Sequence, residues 1–148
     1  MGKFLGLLAS VAIVGCSSPR QPGAVTPARA NPSAGGSLAR VYYWRAKPGK
    51  LAEYTRYIRE VAAPIDEAAR QRGAFISVTT YVSRDSTIPW THMRIFVLRD
   101  SAQLAGLSAE LTSAGLIVEP DSAKRRQQSE YSATLRDRVG DAVLDILR

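Results

Sequence analysis

One cysteine in 148 residues rules out an internal disulfide. One histidine beside that single cysteine cannot supply the usual zinc ligand set. The apolar run over residues 4–14 is too short for a membrane-spanning helix, which needs ~20 apolar residues. No Ser-His-Asp nucleophile motif is recognisable. Acidic residues are missing before position 38, where Lys3, Arg20 and Arg29 stand; taking those three from the net +7 leaves +4 on the remainder. That mild, dispersed excess reads as solubility with some attraction to anionic lipid. No nucleic-acid-binding motif accompanies it, so nucleic acid is not an expected partner.

What the first residues do contain is export information. Lys3 is a minimal positive region, residues 4–14 form a signal-type apolar core, and the run closes with Ile13-Val14-Gly15-Cys16. That ending resembles the lipobox of bacterial lipoproteins, matching at Ile13, Gly15 and Cys16 and departing at Val14, which is bulkier than the usual residue. The resemblance implies cleavage before Cys16, diacylglycerol on its thiol and an acyl chain on its new amine. One acyl chain anchors only marginally, whereas several make attachment to a bilayer effectively permanent. In that family Asp after the cysteine retains many Gram-negative members in the inner membrane; Ser17 stands there, which points to the outer membrane. Residues 17–37 carry four prolines and almost nothing to bury, and read as a disordered tether. The expected organisation is a signal peptide over 1–15, a lipidated cysteine and tether over 16–37, and one folded domain over 38–148.

The domain is small but long enough for one core. Leu38 to Ala46 reads as a strand with aromatics on both faces, and Lys47-Pro48-Gly49-Lys50 as a turn. Leu51, Tyr54, Ile58, Val61 and Ile65 then form a helical stripe. Pro64 forces either a kink or a second segment with the proline in its first turn, and Gly73 ends the helix. A second strand is expected over 74–83, with Phe75, Ser77, Thr79 and Tyr81 on one face, and a third over 90–98, with His92, Arg94, Phe96 and Leu98 on one face. Asp100 or Ser101 caps the next helix, whose stripe includes Leu104, Leu107 and Leu111. Residues 115–120 interrupt it, a further helix covers 122–138 with Tyr131 and Leu135 as packing residues, and 142–147 is read as a last strand. The order β-α-β-β-α-(α)-β is the split β-α-β pattern of an α+β, ferredoxin-like antiparallel sheet. Apolar residues on both faces of the third strand call for a second copy as cover, giving a two-fold homodimer.

These residues resemble the dimeric α+β barrel superfamily. The resemblance rests on Val41-Tyr42-Tyr43 leading into Lys47-Pro48-Gly49-Lys50, then Glu53-Tyr54, and the third strand Trp90-Thr91-His92-Met93-Arg94-Ile95-Phe96. The superfamily includes cofactor-free monooxygenases, isomerases and haem enzymes, so it implies a fold and no single reaction. Its haem-binding histidines lie on helices, whereas His92 is expected on a strand, and no cofactor is assigned. His92 is the one side chain suited to proton transfer near neutrality, either as a catalytic base facing a pocket or as a hydrogen-bonded core residue. Arg94 shares its face and either steadies an anion or pairs with an acid. Tyr42, Trp44, Tyr81 and Trp90 are candidate pocket walls, with packing at a dimer seam as the alternative. Asp66 and Glu67 are adjacent and diverge on a helix, and Lys124-Arg125-Arg126 reads as a solvated face. Two functions follow: an envelope lipoprotein that binds a small molecule or serves structurally, or a cofactor-free enzyme using His92 and Arg94. A third, an interaction module for envelope proteins, requires an apolar patch left exposed after pairing.

Overall fold

The computed structural model describes residues 38–147; the signal segment, Cys16 and the tether lie outside the described residues. Along the chain come β1 (Leu38–Ala46), α1 (Leu51–Tyr57), a π-helical segment (Ile58–Ala62), α2 (Ala63–Gln71), β2 (Ser77–Val82) and β3 (His92–Leu98). α3 (Ser101–Val118), α4 (Ser122–Leu135) and β4 (Arg136–Asp145) follow. The sheet runs β2-β3-β1-β4 with every neighbouring pair antiparallel, which is the α+β, ferredoxin-like arrangement.

Strand register decides which residues meet the helices. Leu38 pairs with Leu98, Arg40 with Phe96, Tyr42 with Arg94 and Trp44 with His92, so these share one face. On that face Phe96, Leu98, Phe75, Leu107, Ala69 and Ala114 form one buried cluster. Tyr54, Ile58 and Leu135 form a second, with Trp44 packed against it. The opposite face carries Ala39, Val41 and Tyr43 beside Val97, Ile95 and Met93, and neither cluster includes any of them.

Pro64 has no N–H to donate and crowds the carbonyl four residues back. The helix resolves this by winding residues Ile58–Ala62 as a π turn and restarting α2 with the proline in its first turn. Gly73 ends α2 at φ +82°, donating its N–H to the Arg70 carbonyl at 2.9 Å. Asp100 caps α3, its carboxylate accepting from the Gln103 N–H at 2.9 Å.

Four expectations need correction. Phe75 lies in the core, edge-on to Phe96 at 5.1 Å, instead of sharing a face with Ser77, Thr79 and Tyr81; it precedes β2, so strand alternation does not reach it. α3 continues through Gly115 to Val118, because that turn packs against α2, with Ala114 fully buried and Ile65 close by. Tyr131 remains substantially exposed while Leu135 is fully buried. Finally, α4 stops at Leu135 and β4 begins at Arg136, well before the expected boundaries. The open edge of β1 explains the last: Trp44, Arg45 and Ala46 need backbone partners, and Arg138, Asp137 and Arg136 supply them. The β1–β4 ladder also carries an irregularity, since Gly140 pairs with Tyr43 and Arg138 with Trp44, leaving Val139 as an extra residue.

Candidate functional site

Between the sheet and its helices lie three cavities that share Trp44. The first, about 510 Å³, is lined by Trp44, Tyr57, Val61, Ile65, Leu116 and Arg136 among others. A second of about 350 Å³ includes Tyr42, Arg94 and Leu111, and a third of about 190 Å³ includes Tyr54, Asp66, Arg94 and Arg136. They read as one branched cleft with aromatic walls.

Three arginines, Arg94, Arg125 and Arg136, and one carboxylate give it its charge. Arg94, on β3, pairs with Asp66, on α2, and its guanidinium lies 5.2 Å from the Phe96 ring centroid. Burial pushes the Asp66 carboxyl above the usual carboxylate range, and the neighbouring guanidinium opposes that push. Arg136, at the start of β4, stacks on Trp44 with its central carbon 3.4 Å from the ring centroid. Its Nε donates to Ser132 Oγ at 3.1 Å. Burial, the largest cause, holds it below the usual arginine range; the ionisable groups acting on it are Tyr54, Tyr57, Arg94 and Arg138, with no carboxylate among them. Tyr54, also on the cleft wall, is pushed up to about 12, chiefly by burial.

His92 is placed differently. It is fully buried and contributes no wall to the three cavities. Its Nε2 lies 3.0 Å from Thr55 Oγ1 and its Nδ1 2.9 Å from Thr91 Oγ1. The Thr55 hydroxyl already donates to the Leu51 carbonyl at 2.8 Å, so it accepts from Nε2–H. The Thr91 hydroxyl is also 3.3 Å from the Trp44 carbonyl but lies nearer Nδ1, and a neutral ring protonated at Nε2 accepts from it there. Burial lowers its pKa to about 4, and Tyr54 meets it edge-on at 4.5 Å. Both nitrogens are engaged, and no lone pair is left for a substrate.

Of the other sequence candidates, Tyr42 and Trp44 line the cleft. Tyr81 lies opposite Met93 on the other face of the sheet and is largely exposed, and Trp90 packs on Tyr43 at 5.9 Å, so neither joins Trp44. Asp66 and Glu67 do diverge: Glu67 faces outward to Arg70 at 2.7 Å. Lys124 pairs with Glu119, whereas Arg125 turns its Nη1 onto the Glu119 and Pro120 carbonyls at the cleft edge. Sequence reasoning missed Arg136, because it placed that residue in a helix, and the bulged strand gives no regular alternation to reveal it. Among the described residues no group of His, Cys, Asp or Glu could hold a metal ion, and no helix is long and apolar enough to cross a membrane.

No family model and no curated protein matches the sequence. Five solved chains match the fold. HapK from Hahella chejuensis superposes with a TM-score of 0.51 at 9% identity, covering 74% of this chain and 92% of that one. PA3566 from Pseudomonas aeruginosa gives a TM-score of 0.47 at 18% identity, covering 76% and 94% respectively. At such identity the likeness to HapK is one of α+β fold alone.

Proposed function

We propose that the chain is an acylated envelope lipoprotein, favouring the outer membrane, whose folded part binds a small molecule and pairs into a dimeric α+β barrel. The cleft carries the binding reading. Its largest branch, about 510 Å³, falls in the range of small-molecule sites, roughly 300–1,000 Å³, and sets aromatic and aliphatic walls against a polar side formed by Arg125, Gln128, Ser129 and Arg136. The sequence Ile13-Val14-Gly15-Cys16 supports the anchor, and the apolar face of β1 and β3 away from the helices supports pairing. The rival, a cofactor-free monooxygenase or isomerase, needs an available base; the sealed, neutral His92 favours binding over catalysis. One purification tests both parts. The chain extracted from its host membranes, measured by mass spectrometry, is expected to begin at Cys16 with diacylglycerol and acyl mass added. In native mass spectra it is expected to carry a non-covalent small molecule. An unacylated first residue, or cleavage beyond residue 16, overturns the anchor. Turnover of any aromatic substrate that is lost in His92→Gln would return the enzyme reading.

A further inference from the structure

We infer that the ligand of the cleft is an organic anion with a flat apolar body, and that Arg136 is the residue that holds its charge. This rests on the cleft being a small-molecule site. Among the described residues, two buried side-chain polar atoms have no hydrogen-bond partner: Arg94 Nε and Arg136 Nη1. Both arginines line the same 190 Å³ branch. Buried donors without partners are costly and rare, and two in one cavity mark a place where acceptors belong. The two arginines differ in what they have left to offer. Arg94 is neutralised by Asp66. Arg136 makes one side-chain hydrogen bond, to Ser132, and no salt bridge among the described residues. Arg125, on the 510 Å³ branch, also lacks a salt bridge among the described residues, but its Nη1 is spent on two backbone carbonyls, whereas Arg136 Nη1 has no partner; a guanidinium fork suits a carboxylate.

The body of the ligand follows from the walls. The guanidinium carbon lies 3.4 Å from the Trp44 ring centroid, so a group held by Arg136 sits beside the indole. Tyr57, Val61, Ile65 and Leu116 continue from there into the 510 Å³ branch. An acceptor at Nη1 thus has its carbon skeleton beside aromatic and aliphatic groups, where a flat apolar body gains most.

The test uses the full acylated chain in detergent and two probes of one shape, 2-naphthoate and 2-naphthamide. Nitrogen-15 NMR reads the Trp44 indole N–H and the Arg136 Nε–H. Naphthoate is expected to bind about ten- to a hundredfold more tightly than the amide, the usual margin for a hydrogen bond to a charged group. Arg136→Gln should bring naphthoate down to the amide's level and leave the amide nearly unchanged. Arg136→Lys should keep part of the preference, and Arg70→Gln all of it, since Arg70 lies outside the cleft, paired with Glu67. Equal affinity of the two probes at Trp44 overturns the anion and leaves the small-molecule reading standing. A preference that survives Arg136→Gln, with the fold intact, overturns the assignment of Arg136. Silence of the Trp44 and Arg136 signals towards both probes removes the cleft reading and this inference together.

Discussion

His92 demonstrates how far burial can move an imidazole when no carboxylate compensates. Free in an unfolded chain it takes a proton near its ordinary 6.5, whereas in the fold it does so only near about 4. The unfolded state therefore binds more protons across that interval. The stabilisation is complete above about pH 6.5 and is lost progressively as the pH falls towards about 4, amounting to roughly 3 kcal/mol at full extent. Asp66 works in the opposite sense, because its raised pKa lets the folded state gain a proton earlier than the unfolded one as the pH falls. Urea denaturation of wild type and His92→Gln between pH 7.5 and 4 separates the two. The variant is expected to be less stable at neutrality and to lack most of the acid slope; an unchanged slope would refute the burial argument. The sequence showed that His92 and Arg94 share a strand face, as β3 bears out, because alternation along a strand is a local property. It did not show their partners. Thr55, Thr91 and Asp66 come from other elements or neighbouring turns, and no local pattern predicts which side chain will cross to meet them.

At the scale of elements, two glycines have opposite meanings. Gly73 ends α2 in the left-handed region, where a side chain is strained. Gly73→Ala is expected to cost about 1 kcal/mol or slightly more. Gly115 lies inside α3 with ordinary backbone angles, and an added Cβ would meet Ile65 Cδ1 at 3.9 Å, a normal contact. Gly115→Ala should therefore stabilise the protein by about 0.5–1 kcal/mol. Thermal unfolding of the pair gives melting points displaced in opposite directions; a shift of the same sign in both would contradict the assigned geometries. Element type was readable wherever periodicity was strong, as in β1, whose bounds match the expectation, and in α1 with the π turn after it, whose stripe includes buried Tyr54 and Ile58. Boundaries failed where tertiary demand outweighed local preference. Gly115 was a plausible stop until α2 lay against it, and residues 136–138 were a plausible helix tail until β1 required a partner.

For the whole molecule, the proposed pairing rests on the side of the sheet away from the helices. Val41, Tyr43, Met93, Ile95 and Val97 lie together there by register, and an apolar face of this kind on a central pair of strands favours a two-fold mate. Ile95→Asp places a charge within that row while pointing away from the core formed by Phe96 and Leu98. In sedimentation the wild-type chain is expected as a dimer and Ile95→Asp as a folded monomer; a monomeric wild type would dismiss the pairing. One extra amino acid also sets the polarity of the opposite side. Were Val139 paired with Trp44 in a regular ladder, Arg138 would fall opposite Arg45 and Arg136 would slip past Ala46 to the other surface. Both guanidiniums would leave Trp44 and Tyr42 and turn towards the face that carries Tyr43, Met93 and Ile95. The bulge thus decides which surface of the sheet the two cations occupy, and it does so through backbone register alone.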